Sequence, residues 1–138
     1  MQNIVKFAKT AIAPATLVIL ASLAVAADAP KENKGFAASK TTTINLGSDF
    51  PSAAGLQLRL RVLSIEPGGH IGLHNHKERP TVGYFVQGTD TVTREDGSSK
   101  TFHAGDTVSE PGTTVHWHRN DGKDTVVLVA VDVIKGGN

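Results

Sequence analysis

Short β-type runs separated by turn residues are the feature that most limits the folds open to this chain. The run 56–62, LQLRLRV, alternates apolar and polar side chains, which is the period of a strand with one buried face. Similar runs occupy residues 81–87, 89–94, 98–103, 107–108, 114–120 and 125–134. No segment keeps the apolar period of a helix over helical length. The pattern therefore predicts an all-β domain, either an antiparallel sandwich or a small barrel.

Turn residues predict how these strands are connected. The Pro-Gly-Gly sequence at 67–69 is expected to end the first strand, because proline lacks a backbone N–H and glycine favours turns. Residues 95–97 predict a hairpin, and the Asn-Asp-Gly sequence at 120–122 predicts a two-residue hairpin before the last strand. The final run, 125–134, is apolar almost throughout and predicts a strand that is buried on both faces.

The first 26 residues have the three-part pattern of a secretory signal peptide. Lys6 and Lys9 precede an apolar run at 11–25, which ends in an Ala-Val-Ala cleavage site at 24–26. A spanning helix needs about 20 apolar residues, and Pro14 interrupts this run, so an uncleaved anchor is the less favoured alternative. The pattern predicts an exported protein, periplasmic or secreted, that has no membrane attachment after cleavage.

The rest of the chain predicts one domain behind a short leader. Residues 27–40 are small and polar, so we expect a flexible leader there and a domain over residues 41–138. The absence of cysteine excludes disulfides and thiolate ligands, so stability must come from a packed core, with or without a metal. Basic and acidic residues nearly balance, at 14 and 13, and no basic block indicates nucleic acid as a partner.

Closely spaced histidines in two distant segments are the main functional signal. His74 and His76 lie two residues apart, so on a strand both imidazoles point to the same face. His116 lies in another predicted strand, where His118 has the same parity. Burying several imidazoles in a small barrel costs free energy unless a partner compensates for it. The arrangement therefore predicts a site for one divalent metal ion.

Glycines and other motif residues surround these histidines at fixed spacings. The first group is Gly68, His74, His76 and Gly88, and the second is Gly105, Pro111, His116 and Asn120. Both groups resemble the two sequence motifs of the cupins, a family of small double-stranded β-helix (jelly-roll) barrels. The segment TVGYFVQG is also similar to the family's first motif, and Gly112 lies one place early in the second. The resemblance covers about residues 56–134.

The resemblance implies that His74, His76 and His116 bind a divalent metal ion such as Fe, Mn, Zn, Ni or Cu. The chain departs from the family at one ligand position, where the cupins have glutamate and this sequence has Thr81. A neutral hydroxyl is a poor ligand for a first-row divalent ion.

Four arrangements could replace the missing carboxylate. Three histidines with water are the favoured arrangement, since catalytic metal sites keep open positions. Glu78 could bend in from the turn, or His118 could act as a fourth ligand or line the pocket. In the fourth arrangement no metal is present and the same histidines bind an organic ligand. Arg79 is a candidate contact for a substrate carboxylate at the barrel mouth.

Two functions of different classes are compatible with this site. The first is a metal-dependent enzyme of the dioxygenase-like type that acts on a small molecule, and its catalytic residues cannot be assigned from the sequence. The second is a non-catalytic periplasmic module that binds or senses a small ligand or metal. The resemblance also implies a homodimer.

Overall fold

The computed structural model describes residues 29–136, so the predicted signal peptide lies outside the described residues. These residues form strands and two short 3-10 turns, Leu46–Ser48 and Pro51–Ala53, and contain no α-helix. The strands are β1 (Lys34–Asn45), β2 (Leu56–Asn75), β3 (Thr81–Gln87), β4 (Thr89–Arg94), β5 (Ser99–His103), β6 (Thr107–Glu110), β7 (Val115–Arg119) and β8 (Val126–Lys135). Over the same residues, no helix has the length and hydropathy that a membrane span requires.

All strand pairs are antiparallel, and together they form one sheet that curls into a nearly closed barrel. The strand order is β5-β4-β7-β2-β8-β3-β6, and β1 pairs with the free edge of β2. The long strand β2 joins two walls of the barrel, one that contains β8 and one that contains β7. Its residues 57–65 pair with β1 and β8, whereas residues 70–75 pair with β7. The predicted all-β jelly-roll barrel is confirmed.

The predicted end of the first strand at residues 67–69 is wrong, since β2 continues to Asn75. Pro67 lies where β2 leaves β8 and approaches β7, so its missing N–H falls between two sets of ladder partners. Gly68 has a φ of +71° there and donates its N–H to the carbonyl of Asn120. The Pro-Gly-Gly sequence therefore bends the strand between the two walls of the barrel and does not end it.

The predicted leader, residues 27–40, is partly a strand, because β1 begins at Lys34. Backbone hydrogen bonds to β2 hold β1, with Phe36 opposite Ile65 and Ser39 opposite Val62. Most of its side chains are exposed, and only Phe36 packs against the core. The small polar composition gave no strand signal because main-chain pairing at a sheet edge needs few apolar side chains.

The hairpin predicted at residues 120–122 is also wrong, since β7 pairs with β2 and β4 whereas β8 pairs with β2 and β3. Asn120 is fully buried and donates to the carbonyls of Ile65 and Asp124, while its side-chain oxygen accepts from Gly122 N. The asparagine thus ties the connection to β2, and the chain crosses to the other wall. The hairpin at residues 95–97 is confirmed by the pairing of β4 with β5.

One end of the barrel interior is apolar, and we call it the apolar half. It comprises Leu63 and Ile65 of β2, Phe85 of β3, Phe102 of β5, and Val126 and Leu128 of β8. The rings of Phe85 and Phe102 stack with their centroids 5.0 Å apart. This cluster supplies the burial of apolar area that holds the barrel walls together.

The other end of the interior is the polar half, which contains Arg59, Arg61, Thr81, Asp132 and the histidines. The same strands build both halves: Ile65 and Leu63 lie opposite Val126 and Leu128, and Arg59 lies opposite Asp132. The alternation predicted for residues 56–62 is present, but its arginine face is the one that points inward. Arg59 and Arg61 reach Asp132, whose side chain is completely buried, while Leu60 on the opposite face is exposed.

Candidate metal centre

Three predicted ligands, His74, His76 and His116, meet in the polar half. His74 lies near the end of β2 and is the register partner of His116 on β7, while His76 follows β2 directly. His116 Nε2 is 3.0 Å from His76 Nε2 and 3.1 Å from His74 Nε2. Two nitrogens bound to one ion at about 2.1 Å and at right angles would be about 3.0 Å apart. The spacing of each pair therefore suits a common cation.

Hydrogen bonds on the far side of two rings fix which nitrogen carries the hydrogen. The Nδ1 of His74 lies 2.8 Å from the carbonyl oxygen of Gly72, which can only accept. The Nδ1 of His76 lies 2.9 Å from the hydroxyl of Thr81, and that hydroxyl donates to the carbonyl of Arg79 at 3.1 Å. In neutral rings both Nδ1 atoms are therefore the donors, and both Nε2 atoms present lone pairs to His116.

The converging nitrogens lack enough hydrogens to satisfy one another. His116 Nε2 carries at most one hydrogen, so it can donate to only one of its two nitrogen neighbours. Burial lowers the pKa of all three rings, to about 4 for His76 and about 2 for His116. Neighbouring histidine charges add to the effect, as does Arg79 for His74 and His76. The rings are thus neutral near pH 7, and a cation would remove the conflict between lone pairs. The chemistry of the donor set fits a divalent metal.

A carboxylate that the sequence analysis missed completes this cluster. Glu110 on β6 places Oε2 3.2 Å from His76 Nε2 and Oε1 3.3 Å from His116 Nδ1. Its Oε1 is buried without a hydrogen bond, and burial raises the pKa of Glu110 despite the opposing charges of His118, Arg79 and Arg94. His76, Glu110 and His116 each offer a ligand atom within 4.8 Å of the others.

Glu110 lies next to the position at which the family has its glutamate and this chain has Thr81. Thr81 on β3 is the register partner of Glu110 on β6, so the carboxylate enters from the neighbouring strand. In the sequence, Glu110 directly precedes Pro111 at the end of a four-residue strand, and such a position is typical of an exposed turn. Only the pairing of β3 with β6 shows that Glu110 lies beside the family's carboxylate position. Thr81 itself orients His76.

Glu78, the carboxylate that the sequence offered as a ligand, lies away from the cluster. It adopts a φ of +57° in the turn after His76, and its side chain is 60% exposed. Its Oε1 accepts a hydrogen bond from Lys135 Nζ at 2.9 Å, and this hydrogen bond lowers the pKa of Glu78. The structure therefore does not bring Glu78 to the histidines.

His118 lies closer to the cluster than strand spacing suggested. With His74 and His116 it forms a second group whose ligand atoms lie within 4.8 Å of one another. Its Nδ1 donates to the buried Asp90 at 2.6 Å, which leaves Nε2 free to act as an acceptor or ligand. A carboxylate that holds the far nitrogen of a histidine is a common support for metal ligands.

Arg79, the predicted substrate contact, lines a cavity next to the histidines. A cavity of about 350 Å³ opens beside His74 and His76, and Arg61 and Arg79 both line it. The volume is at the lower end of the range for small-molecule sites. The lining also includes the apolar side chains Phe36, Leu63, Ile71 and Leu128.

The family model of the cupin domain matches residues 61–132, which is more than half of the chain. This chain belongs to the cupin family. The match includes both histidine segments and also Glu110. A search of curated protein sequences found no significant match.

Solved structures share the fold at low sequence identity. A predicted oxalate decarboxylase from Thermotoga maritima is 18% identical, with a TM-score of 0.52 over 78% of this chain and 94% of that one. A recombinant oxalate oxidase in complex with glycolate is 20% identical, with a TM-score of 0.52 over 73% of this chain and 55% of that one. The cupin domain of Cnp3 from Schizosaccharomyces pombe is 16% identical, with a TM-score of 0.53 over 58% of this chain and 65% of that domain. At these identities the comparison establishes the cupin fold alone.

Proposed function

We propose that this cupin is an exported enzyme that binds one divalent metal ion and carries out oxygenase-type chemistry on a small molecule that chelates through oxygen. The observation that carries the proposal is that the Nε2 atoms of His74, His76 and His116 lie together and have too few hydrogens to hydrogen-bond one another. A carboxylate and an open cavity lie beside them. A bound redox-active ion would supply Lewis acidity and electron transfer to O2.

The chain's own residues would hold and orient that ion. The Gly72 carbonyl and the Thr81 hydroxyl hold the His74 and His76 rings so that each Nε2 faces the centre. Glu110 would supply one negative charge, which lowers the cost of placing a dication in a buried site. The two likenesses to an oxalate decarboxylase and an oxalate oxidase are compatible with a small oxygen-rich substrate.

Metal analysis of untagged protein tests the proposal. Protein secreted with its own N-terminal segment and purified without a histidine tag should contain about one redox-active ion per chain. His116→Ala should lose the ion, whereas His103→Ala should retain it, because His103 lies on β5 and bonds Thr89 outside the cluster. Equal metal content in both variants, or no metal in folded wild-type protein, would contradict the metal-dependent function.

The same samples separate the enzyme from the binding module predicted as its alternative. Oxygen uptake that requires the loaded metal and a small acid substrate supports the enzyme. Metal binding without turnover over a broad substrate panel supports a non-catalytic binding or sensing module. Detection of the protein in the periplasm or medium, and its loss when residues 1–26 are removed, tests export.

We also propose that the chain forms a homodimer through the outer face of β2, β8 and β3. Leu60, Val131 and Val82 lie side by side across these strands, and Val82 is 57% exposed. An apolar sheet face of this kind can pair with its own copy across a two-fold axis. Light scattering should give a dimer for wild type and a monomer for Val82→Arg, while a monomeric wild type would exclude the interface.

A further inference from the structure

Three arginines surround a single carboxylate next to the metal centre. Arg59 bonds both oxygens of Asp132, at 2.9 and 2.8 Å, and Arg61 Nη2 bonds Oδ2 at 2.9 Å. Arg79 Nη1 lies 3.6 Å from the same oxygen. Because arginine stays charged at all relevant pH values, the group carries two uncompensated positive charges.

Two of these arginines line the cavity, and one of them has a buried donor without a partner. Arg61 is only 16% exposed, yet its Nε is buried without a hydrogen-bond partner among the described residues. Arg79 donates to the Asn75 carbonyl at 3.1 Å, and like Arg61 it lines the cavity beside His74 and His76. Arg59, by contrast, uses two donors on Asp132 and does not line the cavity. Burying a guanidinium nitrogen without an acceptor is costly, so an anion in the adjacent cavity would offset part of this cost.

We infer that Arg61 and Arg79 bind the carboxylate of a small organic acid in the cavity, with its apolar body against Leu63 and Ile71. A carboxylate offers two acceptor oxygens that match the donor geometry of a guanidinium. Asp132 is a positioning residue here, because it holds Arg61 and Arg79 on the cavity side of β8. The apolar side chains in the lining favour an acid with an apolar body over a fully polar anion such as phosphate.

The inference deepens the proposed function and rests on it only for the identity of the site. The acid's body would lie close to His74 and His76, which line the same cavity. Glu110 is the nearby opposing charge, and it also lines the cavity. Its closest contacts are His76 and His116, at 3.2 and 3.3 Å, and a single carboxylate offsets only one of the two uncompensated positive charges.

Benzoate and its neutral isostere benzamide provide a matched pair of probes, because neither chelates metal strongly. Calorimetric titration of the purified protein, both metal-free and zinc-loaded, should show benzoate binding at least tenfold more tightly than benzamide. Arg61→Gln and Arg79→Gln should each weaken benzoate binding about tenfold or more and leave benzamide unchanged. Arg119→Gln is the control, since it removes an exposed guanidinium that pairs with Asp121 on the outside.

Several outcomes would overturn the inference: equal affinity for benzoate and benzamide, wild-type benzoate affinity in both variants, or no benzoate binding by folded protein. If Arg61→Gln unfolds, Arg61→Lys keeps the charge and should still weaken benzoate binding, and Arg79→Gln provides the second test. Metal content measured on the same samples separates the two proposals. Selective benzoate binding by protein that never holds metal would retain the anion site and reject the metal-dependent function.

Discussion

The two halves of the barrel interior are built by the same strand faces and yet have opposite chemistry. Along β8 the inward positions run Val126, Leu128, Ala130 and Asp132, and β2 matches them with Ile65, Leu63, Arg61 and Arg59. The apolar half excludes water and holds the walls together. The polar half contains charged groups and lone pairs, which must pair with one another or with a ligand. Alternation along a strand therefore sets the face on which a residue lies and not the chemistry of that face.

Truncating the centre of the apolar half should give the largest loss of stability. Phe85 is completely buried and stacks on Phe102, so Phe85→Ala should lower the free energy of unfolding by about 4 kcal/mol. Metal stoichiometry in the folded fraction should not change. Urea unfolding and elemental analysis measure the two quantities, and loss of metal from folded Phe85→Ala protein would show that the halves are not separable.

Removing the central charge of the polar half should give the next largest effect. Asp132→Asn leaves three guanidiniums without their shared carboxylate, and breaking a buried ion pair in this way should cost about 3 kcal/mol. Burial alone would raise the pKa of Asp132, but the Arg59 hydrogen bond and the three arginine charges together lower it. An exposed control, Asp121→Asn, should unfold like wild type in the same urea titration.

Acid should destabilise the metal-free protein through the buried histidines of the polar half. The pKa of His76 is lowered to about 4 and that of His116 to about 2, so between these values and 6.5 the unfolded chain binds more protons than the folded chain. Stability therefore falls as pH falls from 7 to 5, by about 2 kcal/mol for each histidine at pH 5. His76→Gln should reduce this slope, whereas a slope that is unchanged in the variant would contradict the assignment.

Glu110 and Glu78 give a matched test of which carboxylate serves the metal. Glu110→Gln should weaken metal binding by about tenfold or more, because it removes the buried charge next to His76. Glu78→Gln removes only an exposed pair with Lys135 and should leave metal affinity unchanged. Competition with a chromogenic chelator gives both affinities, and the reverse order would restore Glu78 as the ligand.

Loss of the Thr81 hydroxyl should have the smallest measurable effect on the site. Thr81→Val removes the nearer acceptor of the His76 Nδ1 hydrogen and leaves the Arg79 carbonyl at 3.2 Å. The ring is then held less firmly, so metal affinity should fall only a few-fold, less than for Glu110→Gln. Thr107→Val on β6 changes an exposed threonine in the same way and serves as the control. Equal affinities in the two variants would mean that Thr81 does not orient His76.

Much of the fold could be predicted because strand alternation and turn residues are local properties. The strands around Thr81 to Gln87 and Thr89 to Arg94 lie where the sequence places them. The errors at residues 34–40, 67–69 and 120–122 have one cause, namely that each segment is fixed by hydrogen bonds to distant strands. Sequence periodicity carries no information about such partners.

The candidate site divides in the same way. His74, His76 and His116 could be found from spacing, since two parity-matched histidines on strands must share a face. Glu110 could not, because its proximity to the histidines arises from the pairing of β6 with β3. Glu78 was the nearer carboxylate in sequence, but the turn directs it to solvent and Lys135.

Local spacing is enough to predict a cupin-like β-barrel, the parity of its histidines and the gap at Thr81. It does not predict that Arg59 and Arg61 face inward, that they pair with Asp132 or that Glu110 lies beside the gap, and these features appear only in the folded chain. Whether a strand face points into the barrel or to solvent depends on which charged residues lie opposite it across the barrel. Such contacts are set by the strand register, which here joins Arg59 to Asp132 across more than 70 residues of sequence.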